Sequence, residues 1–383
     1  MKLLMLSGDR QVVVGEKGPF HTLQREFSRW FERIDVLVPA ATRPVTTRCL
    51  FDVVHFHTLE APRARRVARI AQLGEELIAE HGAQLVVSHD YGLFANGLAA
   101  ARIAKRTGVP FLSELHHIPG YPVAESMRER IERRIARSYV GFARERALAF
   151  RVVNHRQMPE LLLRWGVPRE KIAVIPSLYI DRAVFQQLEQ AVPARFDLCF
   201  VGRMVENKGL LRLVDAFTAL HERGLALSML LVGRGPLQKT VAARLARRGL
   251  ERFVTWKEWV ADPAELAQLY RESRLVVCAS TCEGGPRFTV EAMACGTPVI
   301  STPVGVMPDL LEDGKAGRLV GFDVASLAEG IAALLSNEAQ RLAAGREGAR
   351  RAQEFEYART IRFYASELHR LAGEPFPERA LRG

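Results

Sequence analysis

An apolar run at Asp197–Val201 ends in Gly202-Arg203-Met-Val-Glu-Asn-Lys208-Gly209. Two cations converging beside glycines, where a helix begins, suit the oxygens of a diphosphate. Lysine is scarce in this chain, eight of 54 basic residues, so Lys208 stands out where another arginine would not. A second run, Leu275–Ala279, ends in a loop from Ser280 to Arg287 and continues as a helix through Glu291. Gly284 and Gly285 in that loop let backbone N–H groups close on a ligand, and the helix N-terminus adds partial positive charge. A carboxylate beside a phosphate is repelled by it, so Glu283 and Glu291 suit neutral hydroxyls. A third run ends in Gly233-Arg-Gly235-Pro236, a tight reversal at the same edge. Each cluster also has a plainer reading, as solvated charges on connecting loops and surface glutamates favoured by a helix dipole.

In the first half, His116-His117 follows the run Pro110–Leu115 and is turned by Pro119-Gly120. A histidine at a strand end suits proton transfer near neutral pH, while a packed, hydrogen-bonded pair accounts for the sequence equally well. His55, His57 and His89 also lie near strand ends and are read as structural.

The elements that must position these residues alternate almost from end to end. Strand candidates at Lys2–Leu6, Ile34–Val38, Asp52–His57, Leu85–His89, Pro110–Leu115, Arg151–Asn154 and Ile172–Ile175 are separated by helical stretches such as Arg63–Glu80 and Leu93–Arg106. The pattern restarts with Asp197–Val201, Leu227–Val232, Phe253–Trp256, Leu275–Ala279, Pro298–Ser301 and Gly317–Leu319. Such alternation predicts an α/β fold with parallel sheets. Pro176 to Pro193 interrupts it, which divides the chain into residues 1–177 and 178–354. A closing helix within 355–383, with Ile361, Tyr364, Leu368 and Leu371 at helical spacing, is expected to rejoin the first domain. In such sheets ligands sit outside the carboxyl ends of the strands, where all these clusters fall. None is a full GxGxxG fingerprint with its acidic partner, which disfavours a nicotinamide enzyme.

The order Gly202-Arg203 and Lys208-Gly209, then Gly233-Arg-Gly235-Pro236, then Glu283 and Glu291 ahead of Ala-Met-Ala-Cys-Gly-Thr-Pro-Val-Ile, resembles glycosyltransferase family 4. That family comprises retaining nucleotide-sugar enzymes of the GT-B fold. The match runs from about Phe196 to Val320, with looser similarity at Asp52-Val-Val-His-Phe-His57 and Gly108-Val-Pro-Phe-Leu-Ser-Glu-Leu-His116. The resemblance implies two Rossmann-like domains facing across a cleft. It further implies transfer of a hexose-type sugar from a nucleotide-diphosphate donor to an acceptor hydroxyl, with retention and with neither cofactor nor metal. Arg203 and Lys208 would hold the diphosphate, Glu291 the ribose and Glu283 the transferred sugar. Gly202, Gly233 and Gly235 would shape the donor loops, Gly284 to Phe288, including Gly285 and Arg287, would lend backbone N–H groups, and Trp256 to Val260 would pass near the base. His116, rather than His117, falls at the family's distance after Gly-x-Pro, on the acceptor side. Three departures stand out. Gly15-Glu-Lys-Gly18 replaces the paired glycines after the first strand, so Gly18 inherits that loop's donor contact. Pro286 removes an N–H donor from the Glu283 loop, and Pro176-Ser-Leu-Tyr-Ile-Asp181 lacks the usual Asn-Gly.

Composition narrows the alternatives. Hydrophobic residues at 48% and charged residues at 25% are those of a folded globular chain. No apolar run reaches the length of a membrane span, and Met1–Leu6 is ended by Ser7-Gly8-Asp9 where a signal peptide would continue. Five cysteines without CxxC spacing suit packing in a reducing cytoplasm rather than zinc or disulfides. The net charge of +11 points to an anionic partner. A nucleic-acid binder would show a recognisable module or aromatics interleaved with the basic residues, and neither is present. An epimerase or phosphorylase on the same fold is the enzymatic alternative, although no Lys-based cofactor motif of a phosphorylase is apparent. The acceptor is left open between a glycan, a lipid-linked sugar and a small molecule. Arg128 to Arg151 carries eight arginines and three glutamates, with Arg130, Arg133, Arg134 and Arg137 on one helical face beside Ile131, Ile135 and Phe142. It reads either as an ordinary surface helix packed on the sheet or as one that lies on an anionic bilayer at the inner membrane face.

Overall fold

The computed structural model describes residues 1–190 and 192–382. The first sheet is built from β1 (Lys2–Leu6), β2 (Arg33–Pro39), β3 (Cys49–Leu50), β4 (Val54–Leu59), β5 (Leu85–His89), β6 (Phe111–Glu114), β7 (Ala149–Val152) and β8 (Ile172–Val174). Their order is β3-β4-β2-β1-β5-β6-β7-β8, parallel except for the β3–β4 pair. The second comprises β9 (Phe196–Val201), β10 (Met229–Val232), β11 (Val254–Lys257), β12 (Ser273–Cys278), β13 (Val299–Ser301) and β14 (Gly317–Leu319). It runs β11-β10-β9-β12-β13-β14, parallel throughout.

Strands covered on both faces read as unbroken apolar runs, which is why they were legible. In β5, Val86 packs into one core while Leu85 and Val87 face another. In β9, Cys199 and the pair Leu198 and Phe200 divide in the same way between the two cores of the second sheet. Four of the five free cysteines are buried, and Cys49 is exposed.

Local bounds differ from those expected. The strand expected from Asp52 begins at Val54, because Phe51 and Asp52 adopt positive φ (52° and 61°) and turn the chain first. That turn also creates β3, too short to leave a periodic signal. The strand expected at Arg151–Asn154 is β7, Ala149–Val152, so the basic stretch divides into the helix Met127–Ala143 and a strand that aligns Arg151 with Glu114 of β6.

The chain passes between the sheets twice. Ile180 and Glu356 pair in parallel where the two passages run side by side. The helix Tyr357–Ala372 then returns to the first sheet, packing Ile361, Tyr364, Ala365 and Leu368 into the core that holds Phe27 and Phe31. Among the described residues, no helix is long and apolar enough to cross a membrane.

Candidate active site

Each sheet reverses its winding at one place. β1 lies between β2 and β5, and β9 lies between β10 and β12. Loops leaving the strands on either side of such a point diverge, opening a crevice at the carboxyl ends. In the first sheet Ser7-Gly8 and His89-Asp90 frame it; in the second, Gly202-Arg203 and Ser280–Glu283 do. The two crevices face each other. The loop after β12 reaches the first domain, where Cys282 Sγ lies 3.1 Å from the carbonyl oxygen of Ile118 and Val123 N–H donates to Thr281 O at 3.3 Å. At Gly284 a Cβ would stand 2.3 Å from the carbonyl oxygen of His116, so only glycine permits this approach.

On the second-domain side, Lys208 Nζ is ion-paired with Glu283 Oε1, and Ser280 Oγ donates to the same oxygen at 2.9 Å. Both side chains are largely covered, whereas Arg203 is exposed at the mouth. Gly202, Gly233 and Gly235 act through packing: a Cβ on Gly233 would lie 2.0 Å from Gly202 O, and one on Gly235 would lie 2.6 Å from Met204 O. Glu291 sits in the second turn of the helix Arg287–Ala294, where its Oε2 accepts from Tyr270 Oη at 3.2 Å. Burial raises its pKa, and the nearby Arg287 opposes the shift. Arg287 lies over the Tyr179 ring at 4.6 Å, while Phe288 packs its side chain into the core. Glu291, Arg287, Gly18 and Val260 line one cavity of about 380 Å³. Gly18 therefore meets the second-domain residues from across the domain boundary, at the start of the helix Pro19–Phe27.

On the first-domain side the organising residue is Glu114, which sequence reasoning did not select. Parallel register places His89 beside Glu114 and Glu114 beside Arg151. His89 Nε2 is 3.1 Å from Glu114 Oε2, His116 Nε2 is 3.7 Å from it, and Arg151 binds Oε1 at 2.8 Å. Tyr364, from the final helix, donates its hydroxyl to Glu114 Oε1, and Arg151 stacks on its ring at 3.6 Å. Burial alone would raise the Glu114 pKa, but Arg151 and the histidines hold it well below the carboxylate range. His116 keeps 46% of its side chain open, yet the surrounding protein lowers its pKa, with Glu114 opposing.

The two histidines face different company. His117 is close enough to Glu283, Lys208 and Arg203 to feel their charges, and burial lowers its pKa as well. His89, read from sequence as structural, lines the interdomain cavity of about 600 Å³ together with His116, His117, Arg287 and Tyr364. A sequence signal existed: successive apolar runs end in Ser-His and Ser-Glu, a polar row across neighbouring strands. Tyr364 had none, since only the chain's return brings it there. His57, by contrast, is held 2.8 Å from Asp35, whose pKa is lowered to about 2: burial opposes that shift and is outweighed by hydrogen bonds from His57 and Arg33.

Comparison with known proteins fits this architecture. Residues 195–337 match the family model described as glycosyl transferases group 1, and residues 20–177 match a glycosyl transferase 4-like domain. The chain belongs to this family of glycosyltransferases and is an enzyme of that class. It is 28% identical over 353 residues to the D-inositol 3-phosphate glycosyltransferase of Pseudarthrobacter chlorophenolicus, covering 86% of this chain and 82% of the relative. It is also 28% identical over 308 residues to the MMP alpha-(1->4)-mannosyltransferase of Mycolicibacterium hassiacum, covering 75% and 72%. Among solved structures, sucrose-phosphate synthase from Thermosynechococcus elongatus superposes with a TM-score of 0.76 at 20% identity, over 96% of this chain and 98% of that one. Anabaena HepE in complex with UDP and glucose gives 0.73 at 20%, over 97% and 100%. The fold is GT-B.

Proposed function

We propose that this enzyme moves a hexose from a nucleoside diphosphate hexose to an acceptor hydroxyl, with retention of anomeric configuration and no metal at the diphosphate. The observation that carries the reading is the meeting of Arg203, Lys208 and Glu283 at one crevice opposite His117. The bond between the anomeric carbon and the diphosphate oxygen breaks while the acceptor oxygen bonds on the same face. The acceptor proton leaves with the diphosphate. Arg203 and Lys208 stabilise the charge that builds on the leaving group, Lys208 exchanging Glu283 for phosphate as the donor enters. Glu283 then accepts from hydroxyls of the transferred sugar, and Glu291, in its cavity with Arg287 and Gly18, accepts from the ribose. His116, on Glu114, faces the acceptor. The names of the relatives support glycosyl transfer, and the UDP-glucose complex of HepE supports a nucleotide-sugar donor. The Met127–Ala143 helix, with Arg130, Arg134 and Arg137 exposed, would let a cytoplasmic enzyme rest on an anionic membrane face.

Screening UDP-, GDP- and ADP-hexoses for thermal stabilisation tests the donor, since a ligand at 100 times its Kd adds about 2.7 kcal/mol. No stabilisation by any of them would refute it. Turnover that survives EDTA supports the metal-free site; complete, metal-rescuable loss overturns it. The anomer formed, read by NMR at early times, decides retention.

A further inference from the structure

A cavity of about 1110 Å³ plays no part in the donor site. It opens at the carboxyl edge of the first sheet, between β1, β2, β4 and β5. Its walls are apolar, from Leu37, Val38, Leu59, Val67 and Ile70, and four arginines line it, Arg10, Arg63, Arg66 and Arg128, against Glu60 and Glu132. Glu132 is taken up by Arg128 at 2.9 Å. Arg10, Arg63 and Arg66 have no ion-pair partner among the described residues. Two of them stand at the start of the helical segment leading into Arg66–His81, whose first turn holds no acidic residue. Cations there oppose the helix dipole, an arrangement that an incoming anion relieves.

Two further observations say what accompanies the anion. Tyr91 and Leu93, which line the cavity, are 60% and 69% exposed, and Met127 and Ile131, flanking Arg128 on its helix, are 65% and 51% exposed. An apolar margin thus continues the apolar wall outward. The cavity also shares Ser7, Gly8, His89 and Tyr91 with the interdomain cavity that holds His116. Tyr91 stands at this junction, its hydroxyl so close over Gly8 that a Cβ there would lie 1.1 Å from it.

We infer that this cavity is the acceptor site and that it takes an anionic amphiphile: a phosphate-bearing head against Arg10, Arg63 and Arg66, and a hydrocarbon portion along the apolar wall and margin. The inference rests on the proposed transferase reading for what reacts, but the ligand chemistry is tested apart from it. The phosphate group could belong to a lipid or to a small soluble molecule, and the hydrocarbon distinguishes them.

Calorimetry with n-decyl phosphate below its micellar concentration, inorganic phosphate and the uncharged n-decyl glucoside separates the possibilities. The expected result is tightest binding by decyl phosphate, at least tenfold over either of the others and weakened tenfold or more in Arg63→Gln/Arg66→Gln. UDP binding on the same samples reports the folded donor domain, so loss of alkyl phosphate binding with UDP binding retained bears on this cavity alone. Equal affinity for inorganic phosphate would mean a small soluble anion and overturn the amphiphile. Equal affinity for the glucoside, no binding of decyl phosphate, or indifference to the double substitution would overturn the arginine site. Gly8→Ala, which must displace Tyr91, should change decyl phosphate affinity while sparing UDP; an unchanged affinity would remove Tyr91 from the site.

Discussion

The two crevices hold their charges in contrasting ways. In the second domain, Arg203, Lys208 and Glu283 ride on loops just past strand ends, and Lys208 and Glu283 satisfy each other. In the first domain one buried carboxylate, Glu114, is gripped by residues of two neighbouring strands and of the last helix. A loop pair can exchange partners when a diphosphate arrives, because neither ion depends on the fold for its place. A buried network cannot, and its value lies in holding histidines still. One side is built to change and the other to stay.

Breaking the fixed side should have the largest effect. Arg151→Met leaves Glu114 buried with its main counter-charge gone, and removing one partner of a buried pair costs about 3–5 kcal/mol. Denaturant melts should show that loss. A change below about 1 kcal/mol would mean that Glu114 is far less dependent on Arg151 than its burial implies.

The changeable side should answer in rate rather than stability. Arg203→Ala and Lys208→Ala should each lower turnover by roughly 10² to 10³ while the melting point moves little. Near-normal turnover in both would end their assignment to the leaving group. For Lys208→Ala, Glu283 also loses its partner, so Lys208→Ala/Glu283→Gln should be no slower than the product of the single effects.

Tyr364→Phe sharpens the contrast, since it removes a single hydrogen bond to Glu114 from an element outside the first domain's continuous chain. Hydrogen bonds to charged groups contribute about 1.5–3 kcal/mol. A positioning role for Glu114 further requires that the pH profile of turnover shift as the His116 environment changes. Lost stability with an unmoved profile would leave Tyr364 purely structural.

This contrast also decides what was legible beforehand. The second-domain loops were readable because glycine and charge occur together within a few residues: Gly233 meets Gly202 where β10 and β9 end, and no other residue type allows that contact. The parallel strands were readable because burial on both faces makes them apolar throughout. The Glu114 network was not, because its members lie on separate strands and its last member, Tyr364, arrives only through the return of the chain. Likewise Lys208 and Glu283 were each assigned a ligand, and their pairing needed the fold.

Asp90 gives the most direct measure of the fixed side's polarity. It follows β5 next to His89 and is fully enclosed; Ser88, Ser113 and Tyr139 donate to Oδ2 at 2.9, 2.6 and 2.7 Å, while Oδ1 has no hydrogen-bond partner. Burial pushes its pKa from 3.8 up to about 7, with those hydrogen bonds opposing. A pKa raised in the folded state means that the folded protein holds the proton more tightly than the unfolded chain does. Its contribution is therefore fully present below about pH 4 and lost as pH rises towards 7. In Asp90→Asn the amide oxygen keeps the three donors, its NH₂ takes the place of Oδ1, and nothing titrates. The melting point of the parent minus that of Asp90→Asn should accordingly fall between pH 4 and pH 7 and level off above it, other groups cancelling in the difference. A difference independent of pH would show that Asp90 keeps an ordinary carboxylate pKa. The fixed side would then hold two ionised carboxylates, Asp90 and Glu114, and the contrast with the loops would rest on geometry alone.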